Sequence, residues 1–474
     1  MNLINSLKNI TFCILVTVFC SCNSEGDTSK NQFEFVQVID SLMIKSYERD
    51  LFNGNALIVK NDTIVYQKSF GYTDGTQQIK LNSNSILNTG SIAKQFNGVA
   101  IMMLQERGLL NIHDTISKFN LGLPHWSNKV TINHLLNYAS GIPRIDPIEP
   151  PNDAEAWKII RSVDTLLFEP GTRFLYDNSN VFLQRRIIEK VTGKSFQEFV
   201  TENIIKPLKM TNVVFDPKAN YPKRTSCFDS NKVQCPEMKF ISGWLWLDIN
   251  ELYKWVNAMN SNMLISQESF NTLLINPYAK DMASSLGEYF EKEQLQRYNG
   301  TSYKFRSMLL NDFKNDLTII LLSNNGGLAF ELGEMIHNVI LGREFEIPKK
   351  SVRKALEKVF MEDVAKGIAA YQDLKQKYPE LYNFDEQAEL NRLGYTLYRL
   401  EKNIDEVIKF FEFAISQLPN SANLHDSLAE MYFNNKQYNL ALKSYKKAIA
   451  LGGTRGNAKM MVEKIELLKK SIAN

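Results

Sequence analysis

The sequence predicts an α+β domain followed by an all-helical one. Pairs of short apolar runs separated by turn residues stand near residue 60 and again near residue 310, and the pattern between them is mostly helical. Hairpins at both ends with helices between imply one antiparallel sheet built from the two ends of the domain. The inserted helical region leaves a cleft at the junction. Beyond about Ile347 the chain is helical and charged, and three apolar positions recur 34 residues apart. Residues 33–346 are assigned to the first domain and 347–474 to the second.

The 474 residues are 44% hydrophobic and 23% charged, an ordinary globular composition with length for two or three domains. Net charge is +3 without a basic block, so nucleic acid is not an implied partner. Residues 1–22 read as an export signal. Lys8 gives a short positive start, and ITFCILVTVFC is an apolar run too short for a typical membrane span. FCSC ends at Cys22 and is followed by polar NSEGDTSKNQ. This resembles a bacterial lipobox, whose cysteine is lipidated and becomes the mature N-terminus, although Phe19 departs from the usual leucine. The expectation is an exported lipoprotein, anchored to a membrane and facing the periplasm or cell surface. A plain cleaved signal or an uncleaved anchor would also place it outside the cytoplasm.

Residues 23–32 read as a polar linker, and a mixed helix follows from about Phe33 to Arg49. NALIVK and TIVYQKSF flank Asn61-Asp62, a strong hairpin signal. From Ser91 to about Asn262 the pattern is mostly helical, with loops at LPHW, GIPRIDPIEPPND and FEPGTRF. SYKFRSMLL and DLTIILLS read as strands around the turn NDFKND, and a helix from Leu328 to Leu341 ends before Gly342. Of five cysteines, Cys13 and Cys20 leave with the signal and Cys22 would carry lipid. Cys227 and Cys235 remain, in SCFDSNKVQCP. Export permits a disulfide between them. Two free thiols are the alternative, since sequence does not fix their separation.

In the tail, Val407, Phe411 and Ala414 recur as Ala441, Tyr445 and Ala448, which is the tetratricopeptide period. LNRLGYTLY and NLHDSLAEMYF supply first helices; IDEVIKFFEFAISQLP and YNLALKSYKKAIALG supply second helices. Such stacks need about three units or a cap. Helices around Val352 to Tyr378 and Ala458 to Ile472 are placed to close the stack. Repeats of this kind suggest a protein partner; generic helical packing is the plainer alternative.

The chemistry starts at Ser91 and Lys94, a Ser-x-x-Lys within TGSIAKQF. A serine hydroxyl is a poor nucleophile at neutral pH and needs a base within hydrogen-bond reach. Positions i and i+3 share a helix face. A desolvated lysine can lose its proton and act as that base. The spacing also occurs at Ser351–Lys354 and Ser444–Lys447, in charged helical sequence, so it says little alone. The surroundings of Ser91 say more. FNGNALIVKNDTIVYQKSFGY, ILNTGSIAKQFNGVAIMMLQERGLLNIHD and VTINHLLNYASGIP resemble the serine β-lactamase and penicillin-binding-protein-like hydrolases. The class C β-lactamase, D,D-peptidase and esterase branch fits best, from about Asn31 to Glu346.

The resemblance implies further residues. Tyr176-Asp177-Asn178, after a Pro-Gly turn, matches the family Tyr-x-Asn; a tyrosine beside an ammonium can exchange protons with Ser91. Asn178 would orient Lys94 or a substrate amide. A second Tyr-x-Asn at Tyr432–Asn434 shows that spacing alone is weak, and a half-buried core tyrosine is the alternative for Tyr176. ISGWLWLDINELYKWVNAM resembles a family segment in which Ser242, Gly243 and Trp246 are structural and Asp248 starts a helix. Trp244 stands where glycine is usual and would either narrow the cleft or fill the core. The third motif falls at Tyr298-Asn299-Gly300, with Phe305 and Ser307 in register. Gly300 would let substrate approach, and the N–H groups of Ser91 and Thr301 would hold the oxyanion. Tyr298 replaces a cation that binds substrate carboxylate in the family, and Lys304 replaces a glycine. That argues against an efficient penicillinase or D,D-carboxypeptidase and suits an esterase or amidase acting on uncharged acyl groups. Arg297 and Lys304 are the candidates to restore the charge. The histidines at 113, 125, 134, 337 and 425 show no ligand spacing, so neither metal nor cofactor is implied.

The reading is a serine hydrolase forming an acyl-enzyme with a small acyl or peptide substrate, cell-wall material included. The rival reading is a catalytically weak, ligand-binding lipoprotein whose repeats recruit a protein. Tyr298 favours the rival; intact Ser91, Lys94, Tyr176 and Asn178 oppose it.

Overall fold

The computed structural model describes residues 24–144, 152–218, 220–236, 241, 243–400, 402–452 and 458–473. The stretch read as an export signal, Cys22 and Ser242 lie outside them. Strands β1 (Gly54–Lys60) and β2 (Thr63–Phe70) form the first hairpin. Asn61 and Asp62 turn it with φ of 48° and 56°, both positive as a tight two-residue turn requires. Three short strands follow: β3 (Leu87–Asn88), β4 (Val213–Phe215) and β5 (Leu245–Leu247). The chain then returns through β6 (Glu288–Phe290), β7 (Leu295–Ser302), β8 (Phe305–Asp312) and β9 (Leu317–Ser323).

The main sheet has the order β2-β1-β9-β8-β7-β6, and each neighbouring pair is antiparallel. The first hairpin therefore zips onto the last strand, with Gly54 opposite Ser323. This is the sheet made from two chain ends that the sequence implied. Its central strands are apolar on both faces because both faces are covered. Alternate residues divide between two cores. Leu57, Val59, Leu309, Ile320 and Leu322 face the inserted helices. Ala56, Ile58, Leu310, Ile319 and Leu321 face the helices Ser24–Glu48 and Ala329–Ile340.

Two elements differ from expectation. The first helix starts at Ser24, inside the stretch read as a linker. That stretch has no proline to break a helix. SYKFRSMLL is not one strand either, because Tyr303 and Lys304 turn the chain between β7 and β8. Tyr303 has φ 50° and no glycine marks the turn, which hid it. Among the described residues no helix is long and apolar enough to cross a membrane.

The tail has its own core, drawn from the helices Val352–Glu362, Val364–Lys377, Gln387–Arg399, Ile404–Gln417, Ala422–Asn434, Tyr438–Ala450 and Ala458–Ala473. All six positions of the 34-residue correspondence are buried. Gly394 lets two of these helices approach: a Cβ there would lie 2.3 Å from the Phe411 ring. Gly394→Val should therefore destabilise the tail by about 1–3 kcal/mol through overpacking. Separate melting transitions for tail and sheet domain would read this out. An unchanged tail transition would show that the helices do not pack this closely.

Candidate active site

The site is built where the Ser91 turn meets the edge of β7. Asn88 Oδ1 accepts the N–H of Gly90 at 2.7 Å, and Thr89 Oγ1 donates to the Leu245 carbonyl at 2.9 Å. A tight turn, Gly90–Ala93, then leads into the helix Lys94–Glu106. Ser91 thus sits one turn before the helix proper. Gly90 has φ 52°, and a Cβ there would come within 2.6 Å of the Thr301 nitrogen. From the other side, a Cβ on Gly300 would lie 2.2 Å from the Thr89 carbonyl oxygen and 3.2 Å from the Ser91 nitrogen. Ser307 Oγ donates to that same Thr89 carbonyl at 2.6 Å. Two glycines back to back therefore bring the backbones of Ser91 and Thr301 together. β6 pairs with β7 only over Leu295–Arg297, which leaves this edge of the strand to the turn.

Lys94 Nζ donates to Ser91 Oγ at 2.7 Å, and Lys94 is only 3% exposed. Its ammonium lies 4.8 Å from the Tyr176 ring centroid and 4.9 Å from that of Trp244. Tyr176 is delivered by lacing between two loops. Leu175 N–H donates to the Tyr138 carbonyl and Gly171 N–H to the Ala139 carbonyl, each at 2.8 Å. Ser140 Oγ donates to Asn180 Oδ1 at 2.7 Å. Asp177 caps the helix Asn178–Thr192 by accepting the N–H of Ser179 at 2.8 Å, and Asn178 is the first residue of that helix, half-buried. Burial alone would raise the Tyr176 phenol. The Lys94 ammonium and hydrogen bonding from Lys94, Ser91 and Tyr298 outweigh it and hold Tyr176 below the usual tyrosine range.

Ser91, Lys94, Tyr176, Gly300 and Thr301 are thus gathered, and Tyr298 stands behind them. The two cations considered for the site are elsewhere. Arg297 pairs with Glu334 at 2.8 Å and lies over Phe290. The Lys304 stem packs beside Gly326. Trp246 is buried in the core, and Asp248 caps the helix Ile249–Asn260 by accepting the N–H groups of Asn250 and Glu251. His134 serves a helix start, its Nδ1 accepting the Thr131 N–H at 3.1 Å. Cys227 and Cys235 are thiols here, with the Cys235 N–H donating to the Cys227 carbonyl at 2.7 Å. Burial and the neighbouring Cys235 push the Cys227 thiol up to about 12. Among the described residues no three His, Cys, Asp or Glu side chains gather to hold a metal.

Sequence reasoning missed three residues. Arg185 is fully buried on the apolar stripe of its helix, between Val181 and Ile188. Its guanidinium lies 5.2 Å from the Trp244 ring, and burial pulls its pKa down to about 10. A charge on that stripe was the available signal. Asp216 accepts the N–H groups of Gly243 and Trp244, at 2.6 and 3.1 Å, and so fixes the loop that presents Trp244. Tyr138 packs its ring 4.4 Å from that of Tyr176. Nothing in the sequence around Tyr138 marks it.

The beta-lactamase family profile matches residues 37–343. The chain is 27% identical over 336 residues to the putative penicillin-binding protein PbpX of Bacillus subtilis (strain 168), a match covering 66% of this chain and 81% of that protein. It is 28% identical over 323 residues to protein flp of Staphylococcus aureus (strain MW2), covering 61% of this chain and 63% of that one. The octameric penicillin-binding protein homologue from Pyrococcus abyssi superimposes with a TM-score of 0.58 at 25% identity, over 68% of this chain and 81% of that one. With well over half its length matched, the chain belongs to the beta-lactamase family of serine hydrolases.

Proposed function

We infer that this protein hydrolyses a small acyl or peptide substrate through an acyl-enzyme on Ser91. The observation that carries this reading is the buried Lys94 ammonium, 2.7 Å from Ser91 Oγ and facing the Tyr176 ring. A lysine held there lowers the Tyr176 phenol and so favours it as the base. Tyr176 takes the Ser91 proton as Oγ attacks the acyl carbon, then returns it to the leaving group. The N–H groups of Ser91 and Thr301 bind the oxyanion and are already in place. Water releases the acyl group. Asn178 orients the network or the substrate. The neutral Tyr298 favours uncharged esters and amides. It also supports a second reading, in which catalysis is weak and the domain chiefly binds a ligand. The tail, read as tetratricopeptide-like pairs, would recruit a protein partner in either case.

The proposed address is a lipid anchor at Cys22, and export would let Cys227 and Cys235 oxidise to a disulfide. Intact-mass analysis of the membrane-extracted protein should show a diacylglyceryl-type addition that Cys22→Ser removes, and a mass two hydrogens lower than the reduced chain. An unmodified Cys22 would remove the anchor from the account.

The nucleophile is tested with a fluorophosphonate probe. One adduct should form, on Ser91. Ser91→Ala should abolish it, and Lys94→Ala should slow it by about 10⁴. Labelling that persists in Ser91→Ala would sink the assignment.

Gly300→Ala tests the oxyanion geometry. The added methyl must push β7 from the Ser91 turn, and a shift of about 1 Å lowers reactivity roughly 10²-fold. Labelling at the wild-type rate would show that the Thr301 nitrogen is not part of the machinery.

A further inference from the structure

Tyr138 has no part in the steps above, yet its backbone and side chain are both fixed at the site. It is a bulky residue with φ 54°, a conformation that costs stability and persists only where the surroundings enforce it. It is 1% exposed, its carbonyl holds the N–H of Leu175, and its ring packs on Tyr176. Tyr298 reaches the same place from β7. It is 4% exposed, and its hydroxyl is enclosed without a hydrogen bond of good geometry. A buried donor without an acceptor is costly, and native proteins rarely keep one. A hydroxyl proton can rotate, so its acceptor need form only during the reaction. The hydroxyls of Tyr138, Tyr176 and Tyr298 lie close enough to influence one another.

We propose that Tyr138 and Tyr298 are positioning residues for acyl transfer: they turn their O–H groups onto the Tyr176 oxygen and hold it as the phenolate that takes the Ser91 proton. This rests on the role of Tyr176 given above. The proton passes from Ser91 Oγ to Tyr176 as Oγ bonds the acyl carbon. It then passes from Tyr176 to the departing alcohol or amine, which restores the phenolate. Tyr138 and Tyr298 keep their own protons throughout, because burial and the neighbouring phenols hold both well above the usual tyrosine range. The charged groups facing this cluster are Lys94, Asp177 beside Tyr138, and Arg185 beyond Trp244. Two neutral donors thus stabilise the phenolate alongside a single cation in contact with it.

The test is the rate of fluorophosphonate labelling of Ser91 against pH, in the full chain, for wild type, Tyr298→Phe and Tyr138→Phe, together with melting temperatures. Phenylalanine keeps each ring and removes only the hydroxyl. The wild-type rate should rise through an acid limb that belongs to Tyr176. Removing a donor to the phenolate raises that pKa. The limb should move up by about one pH unit, which makes labelling about tenfold slower below it, with rates converging above it. Melting temperatures close to wild type show that each variant keeps its fold, so that the limb reports the missing hydroxyl. A limb that stays put or moves down, or a rate reduced equally at every pH, overturns the proposal and leaves the nucleophile standing. Labelling that survives Ser91→Ala overturns instead the reading beneath it.

Discussion

Everything at the site depends on one contact, the Gly90–Ser91 turn lying against Gly300–Thr301 on the edge of β7. The turn belongs to the helical insertion through the helix Lys94–Glu106, and the strand belongs to the sheet. Neither part alone brings the backbone nitrogens of Ser91 and Thr301 together. Any side chain at position 90 or 300 would separate the backbones, so the two glycines set how close the two halves come. The Thr89 carbonyl, bonded by Ser307, ties turn to sheet at the same point. A site on two rigid elements keeps its geometry better than one on loops.

The second constraint is buried positive charge. Lys94 and Arg185 both lie inside the protein, and both stand within 5.2 Å of the Trp244 ring. A buried cation without compensation is expensive. Here the compensation is spread over the Ser91 oxygen, the faces of Tyr176 and Trp244, and Asp216 acting on Arg185. Trp244 therefore does more than fill space. Its ring lies within reach of both cations. Asp216 contributes twice, by its charge and by fixing the Gly243–Trp244 backbone.

The legible parts of the fold were those with strong local signals. Asn61-Asp62 announced its hairpin, and the apolar run of β9 announced a strand. The Tyr303-Lys304 turn was illegible because non-glycine residues adopt its left-handed conformation under pressure from the paired strands. At the site, the grouping of Ser91, Lys94 and Tyr176 was readable from the motifs and their neighbours. Tyr138 was not, because its importance comes from a backbone conformation and a contact across the fold. Arg185 was half-readable: its place on an apolar stripe was visible, but not the aromatic ring it would meet.

The tyrosine cluster shows how a site can be polar without being charged. A cation at position 298 would lie within the field of Lys94, with Arg185 beyond Trp244, and would add repulsion to a region already short of carboxylates. A phenol there adds a hydrogen-bond donor without that repulsion. The exchange has a consequence for ligands. A second cation would attract an anionic substrate through space, whereas a neutral enclosed hydroxyl exerts only a short-range dipole. Beyond Arg297 the strand β7 has no sheet partner on that side and meets the Ser91 turn instead, so backbone rather than a second cation lines this edge of the site.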